Sequence, residues 1–254
     1  MDIPAYLQRI HYRGSLQPTA ATLQALHLAH LYTVPFENLD ISLGRFILLD
    51  EERLFGKIVQ QHRGGFCYEL NGLFSLLLKA LGFDVTYLSA SDANADGSYA
   101  PEFDHLVLLI KTPADPISAW LADVGWGDTF RQPLKATTTA EQQQDGRAYW
   151  LEALGEQRLL WQREPGGERE RQYRFTFHPR RFDEFEPMCR YHQTSPESSF
   201  TRRRICTMAI PGGRLTLADS RLITTLDGRR SERSVSDGEE YNRLLLDLFG
   251  ITLA

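Results

Sequence analysis

One segment, Arg63-Gly64-Gly65-Phe66-Cys67-Tyr68-Glu69-Leu70-Asn71-Gly72, constrains this chain more than any other. Two glycines precede the cysteine. Leu70, Leu73, Phe74, Leu77, Leu78 and Leu81 then recur at helical spacing as far as Gly82, which is placed to end the helix. The pattern predicts a helix opened by a glycine turn, with a thiol where the helix begins. Free backbone N–H groups and the positive end of the helix dipole favour a thiolate there, and a thiolate is the form that attacks carbonyl carbon. A small buried residue at a helix start leaves the same signature, since free cysteine is commonly buried. The segment alone leaves both readings open.

A histidine and an aspartate downstream favour the chemical reading. Phe103 to Ile110 and Ala119 to Trp126 read as apolar strands, and Lys111 to Ser118 between them is rich in turn formers. In an antiparallel hairpin centred on that loop, position 114 is the midpoint of His105 and Asp123. The symmetric register puts the two opposite each other on one face, with Cβ atoms roughly 4.5–5.5 Å apart. A carboxylate so placed can hold an imidazole, as a Cys–His–Asp constellation requires.

Further segments accompany these: Val34-Pro35-Phe36-Glu37-Asn38-Leu39, Asp123-Val124-Gly125-Trp126-Gly127 and Thr194-Ser195-Pro196-Glu197-Ser198-Ser199-Phe200. With the Arg-Gly-Gly-x-Cys motif, His105 and Asp123, the chain resembles the arylamine N-acetyltransferases of bacterial type, from about residue 34 to about residue 200. The resemblance implies an α+β fold with a core similar to that of papain-like cysteine enzymes. Its parts would be an N-terminal helical bundle carrying the nucleophile (1–84), a central β-barrel carrying the histidine and aspartate (85–192) and a C-terminal α/β lid (193–254). It implies a two-step transfer from acetyl-CoA to an arylamine, arylhydrazine or N-hydroxyarylamine, without a metal. Cys67 would be the nucleophile, His105 the base and Asp123 its orienter. Glu37 and Arg63 are implied as a buried ion pair beneath the site, Phe36, Trp126 and Phe200 as acceptor-pocket walls, and Gly127 as a neighbour of the cofactor. A macrolactam-forming amide synthase would keep the same triad. A peptidase or transglutaminase-like enzyme would also use it, but the Val-Pro-Phe-Glu-Asn and Asp-Val-Gly-Trp-Gly segments argue against that.

Composition narrows the classes further. A net charge of −5 argues against a general nucleic-acid binder, and no apolar run approaches the roughly 20 residues of a membrane span. The first residues lack the basic and apolar regions of a signal peptide. Cys67, Cys189 and Cys206 form no even disulfide framework and no close metal-ligand pair, so a reducing cytoplasm fits best, with Cys189 and Cys206 structural. A monomer or homodimer is expected. Residues 147–254 hold 18 arginines and no lysine. Arg202-Arg203-Arg204 and Arg229-Arg230 could meet a phosphorylated ligand, but such runs are more often the solvated face of strands.

Helices are expected up to about residue 84, with Pro18 at a helix start and His27 and His30 as partly buried helix residues. Strands follow: Val85–Leu88, the two already described, a hairpin of 149–154 with 159–161 across Gly155-Glu156, and Tyr173–Phe177, with polar loops at 92–99 and 137–147. The last part adds strands at 205–210, 214–217 and 221–226, then a helix opened by a capping box at Ser236-Asp237-Gly238-Glu239.

Overall fold

The computed structural model describes residues 1–128, 130–236 and 238–253. Five helices form its first part: α1 (Ile3–Arg9), α2 (Ala20–Leu31), α3 (Leu39–Ser42), α4 (Glu51–Phe55), which continues as a π-helical turn (Gly56–Gln60), and α5 (Cys67–Ala80). The α2 N-cap is Thr19, whose hydroxyl accepts from the Thr22 N–H, so Pro18 lies one residue outside the helix rather than at its start. His27 and His30 are fully buried rather than partly so. Helix α5 lies at the centre of the first core cluster. Its residues Leu70, Leu73, Phe74, Leu77 and Leu78 are all fully buried, in a cluster that includes Leu23 and Leu26 of α2 and Leu106, Leu108 and Ile110.

The strand β1 (Phe36–Glu37) lies between α2 and α3 and pairs far along the chain. After α5 comes an eight-stranded antiparallel sheet in the order β5-β4-β3-β2-β9-β8-β7-β6. Its strands are β2 (Asp84–Asp92), β3 (His105–Thr112), β4 (Asp115–Ala122), β5 (Leu134–Lys135), β6 (Gln142–Gln144), β7 (Arg147–Leu154), β8 (Gln157–Arg163) and β9 (Arg169–Thr176). The region 137–147, expected as a loop, thus contains β6 and the start of β7. Glutamine side chains join the two edge strands into a near-closed barrel. Gln142 accepts from the Lys135 N–H at 2.8 Å and donates to the Lys135 carbonyl at 3.2 Å. Gln144 makes the same reciprocal pair with Gln132, at 2.8 Å each way. Side-chain amides take the place of ladder bonds there and cover the two edges where they meet.

Helix resumes before the part expected as barrel ends at 192: a 3₁₀ turn (Phe182–Phe185) and α6 (Glu186–Thr194), followed by α7 (Ser199–Arg202). The last part is a five-stranded antiparallel sheet, β1-β10-β11-β12-β13, with β10 (Ile205–Ile210), β11 (Gly213–Ala218), β12 (Arg221–Leu226) and β13 (Arg229–Ser234). Helix α8 (Glu239–Phe249) covers it through Tyr241, Leu244, Leu245 and Phe249, packed with Cys206 and Leu217. Glu240, not Glu239, reaches back to the Ser236 N–H (2.8 Å), and Asp237 of the expected capping box lies outside the described residues. Arg229 and Arg230 sit on exposed β13, where Arg230 pairs with Glu232, while Arg204 lies over the Tyr241 ring. No described helix is long and apolar enough to cross a membrane.

Candidate active site

Cys67 is the first residue of α5, and Phe66 caps the helix. The Phe66 N–H donates to Glu69 Oε2 at 3.1 Å. The glycines before it allow two backbones to touch. A Cβ on Gly64 would sit 1.9 Å from the Pro35 carbonyl oxygen. That closeness lets Gly65 accept from the Glu37 N–H at 2.9 Å. The Val-Pro-Phe-Glu-Asn segment is therefore the strand against which the cysteine turn is built.

The β3–β4 hairpin departs from the symmetric register. The ladder runs Leu108↔Ala122 to Lys111↔Ala119, with an irregularity at Lys111/Thr112 and a tight turn at Pro113-Ala114. Asp115 to Ser118, expected in the loop, are strand. The slip moves the pairing by two residues, so Asp123 lies diagonal to His105 rather than opposite it. A shift of two keeps every side chain on its face, and the contact survives: His105 Nε2 lies 2.8 Å from Asp123 Oδ2. The Cys67 thiol lies beside the His105 ring, close enough for the imidazole to act on it. With Nε2 on Asp123, Nδ1 is the ring nitrogen left to take the thiol proton. Gly125 allows the Asp123 loop to come this close, since a Cβ there would lie 2.7 Å from Cys67 Cα.

Four donors surround the Asp123 carboxylate. Oδ2 accepts from His105 and the Tyr173 hydroxyl (3.2 Å), and Oδ1 from Asn71 Nδ2 (2.9 Å) and the Gly125 N–H (3.0 Å). Burial pushes this carboxyl up, but the His105 charge and these bonds outweigh it and hold it below the usual aspartate range. Burial likewise opposes charge on His105, and Asp123 outweighs it, so the imidazole is a much stronger base than usual. Cys67 differs from the expectation of a thiol lowered by the helix end. It is only 3% exposed. Burial pushes its thiol up, and the neighbouring His105 imidazole pulls it back by less. The proton acceptor beside the sulfur favours the thiolate against that burial.

Glu37 and Arg63 do form a buried ion pair, with Arg63 Nη2 2.8 Å from Glu37 Oε1, but within a larger cluster. Arg63 also reaches Asp40 at 3.0 Å, and Lys57 Nζ lies 2.8 Å from both Asp40 and Glu69. Breaking a buried pair from one side costs roughly 3–5 kcal/mol. Here Glu37→Gln leaves Arg63 with Asp40, and Arg63→Gln leaves Glu37 with Lys57 at 3.8 Å, so each loss is expected near the lower end, about 3 kcal/mol. The double variant is expected to lose less than the sum of the two. A urea-unfolding cycle checks this; losses additive within about 0.5 kcal/mol would mean the two do not interact.

Glu69 supplies a pH signature. Burial raises its carboxyl from an ordinary 4.5 to about 7, against the pull of Lys57. Between those values the folded protein keeps a proton that the unfolded chain has released. The contribution of Glu69 to stability therefore falls as pH rises from about 4.5 to about 7. Unfolding free energies across that range are expected to show this fall in the wild type and to lack it in Glu69→Gln.

Phe36 and Phe200 pack together with ring centroids 6.1 Å apart, and Phe200 meets Phe66 edge-on at 5.7 Å. Gly127 borders the same place, facing Phe36 and Thr207. Trp126 stands apart from them in the barrel cluster, edge-on to His105 at 4.9 Å. Sequence reasoning missed Asp40, Lys57, Glu69, Tyr173 and the buried role of His27. Asn71 was within reach, because it lies one helical turn beyond Cys67 on the same face.

Comparison with known proteins agrees with this geometry. Residues 19–254 match the N-acetyltransferase family profile. The chain is 33% identical over 257 residues to the arylamine N-acetyltransferase of Mycolicibacterium smegmatis, covering 100% of this chain and 93% of the relative. It is 31% identical over 251 residues to proansamycin X synthase of Amycolatopsis mediterranei, covering 96% and 95%. The solved Mycobacterium marinum arylamine N-acetyltransferase in complex with CoA superposes with a TM-score of 0.90 at 30% identity, covering 98% of this chain and 93% of that one. The fold and the buried thiol–imidazole–carboxylate line thus define a cysteine acyltransferase. The chain belongs to the arylamine N-acetyltransferase family.

Proposed function

We propose that the protein moves an acetyl group from acetyl-CoA to an arylamine, arylhydrazine or N-hydroxyarylamine through an acetyl-Cys67 intermediate. The observation that carries this is the buried Cys67 thiol beside His105, itself held by Asp123 at 2.8 Å. In the first step His105 holds the thiol proton and Cys67 sulfur attacks the thioester carbonyl. The new C–S bond forms, the bond to CoA breaks, and CoA leaves with the proton from His105. In the second step the amine attacks the acetyl-Cys67 carbonyl and gives its proton to His105. The C–N bond forms and the Cys67 thiolate is restored. Asp123 keeps His105 oriented and stabilises its charge throughout.

Glu37 and Arg63, with Asp40 and Lys57, brace the turn that presents the sulfur. Phe36, Phe200 and Trp126 would line the acceptor, and Gly127 would leave room for the pantetheine arm. The three-part division fits this work: 1–84 presents the nucleophile, 85–192 the base and its carboxylate, and 193–254 borders the site through Phe200 and Thr207. A soluble cytoplasmic enzyme, as monomer or homodimer, completes the reading. An acceptor screen with acetyl-CoA tests it, with parallel-line kinetics expected for aromatic amines. The similarity to proansamycin X synthase favours one second reading, an amide synthase. That reading is supported if no free arylamine accepts acetyl while a tethered aryl-amine acyl chain is cyclised.

A further inference from the structure

The β3–β4 ladder stops at Ala122, one residue before Asp123. Asp123 must therefore be held by something other than a strand neighbour. The partner comes from α2, nearly a hundred residues earlier. His27 is fully buried. Its Nε2 lies 3.2 Å from the Asp123 N–H nitrogen and 3.1 Å from the Asp123 carbonyl, and its Nδ1 lies 3.0 Å from the Arg131 carbonyl. The ring stacks on Phe130 at 5.7 Å and meets Phe74 of α5 edge-on at 6.2 Å.

Both ring nitrogens face a carbonyl, so neither neutral tautomer makes every contact. With the hydrogen on Nδ1, the ring donates to the Arg131 carbonyl and its Nε2 lone pair accepts from the Asp123 N–H, which leaves only the contact to the Asp123 carbonyl unmade. The opposite tautomer donates to the Asp123 carbonyl but sets a lone pair against the Arg131 carbonyl and leaves the Asp123 N–H without a partner, at a cost of about 1–3 kcal/mol. The first arrangement makes two bonds and the second makes one. Burial suppresses the doubly protonated ring, pushing His27 down to about 4. The histidine thus grips both ends of the loop that carries Asp123, Gly125, Trp126 and Gly127.

We propose that His27 is a positioning residue: it clamps the Asp123–Arg131 loop so that the Asp123 carboxylate meets His105, and so sets the basicity available to Cys67. This rests on the acetyl-transfer reading for its role in turnover, but not for its effect on the thiol.

Three variants separate the clamp from simple packing. His27→Gln can return an acceptor near Nε2 for the Asp123 N–H, His27→Asn restores only the Nδ1 side, and His27→Phe keeps ring packing with neither bond. The first readout is Cys67 alkylation by iodoacetamide against pH, which needs no acyl donor. The profile is expected to stay near wild type in His27→Gln and to move to higher pH in His27→Asn and His27→Phe, in the direction of Asp123→Asn. The second is acetylation rate, expected to fall at least about tenfold in the Asn and Phe variants, because small misplacements of a catalytic group can cost about 100-fold. His27→Gln is expected to recover most of it. Unfolding by urea reports the stability of each variant, and the Gln–Asn comparison stands if His27→Phe fails to fold. A wild-type alkylation profile in His27→Asn, or no advantage of Gln over Asn, would overturn the proposal. Shifted alkylation without any acetylation by wild type would keep the clamp and overturn the acetyl-transfer reading.

Discussion

Cys67→Ser is expected to lose acetyl transfer while keeping its fold. The hydroxyl is nearly the same size as the thiol and keeps His105 beside it as a polar neighbour, so the buried site stays filled. A hydroxyl is far less acidic than a thiol, and His105 cannot compensate for the difference. Turnover is expected to fall on the order of 10⁴-fold or more, the scale on which removal of a triad nucleophile acts. Steady-state rates with acetyl-CoA and an arylamine check the loss, and urea unfolding checks the fold. Undiminished turnover in Cys67→Ser would remove the nucleophile from the mechanism.

Asp123→Asn is expected to cost at least about 100-fold in rate, within the range of a general acid–base group, and to cost stability as well. All four groups around the carboxylate donate: His105, Tyr173, Asn71 and the Gly125 N–H. Turned toward Asn71 and Gly125, the new NH₂ faces two fixed donors, at about 1–3 kcal/mol for the unmade bonds; turned toward His105, it is accepted only by an Nε2 lone pair, which puts the imidazole in the wrong tautomer. Loss of the negative charge removes what holds His105 above its ordinary value. A weaker imidazole leaves the buried thiol higher, so alkylation of Cys67 is expected to move to higher pH. An unchanged alkylation profile would mean that Asp123 is not coupled to the Cys67–His105 pair.

What could be read from the sequence depended on range. The α5 apolar stripe and the glycine turn are local, and both lie where their spacing puts them. The shared face of His105 and Asp123 was legible because side-chain parity survives a slip of two residues; the irregularity at Lys111/Thr112 that causes the slip left no mark on the sequence. Glu37 and Arg63 came from the resemblance. Their extension to Asp40, Lys57 and Glu69 needs three elements brought together in space. Tyr173 and His27 reach Asp123 from a distant strand and a distant helix, and each looks like ordinary core in its own segment. The β6 edge escaped because glutamines are chosen there for side-chain bonds to Gln132 and Lys135 rather than for burial.

The central claim is that the acyl group passes through Cys67, and mass spectrometry of the protein after incubation with acetyl-CoA alone tests it most directly. The account predicts a single added acetyl group on the Cys67 peptide, absent in Cys67→Ser, and discharged on addition of an arylamine as the acetylated amine appears. Arylamine acetylation by a protein that never carries acetyl on Cys67, or an acetyl-Cys67 that no amine discharges, would contradict it.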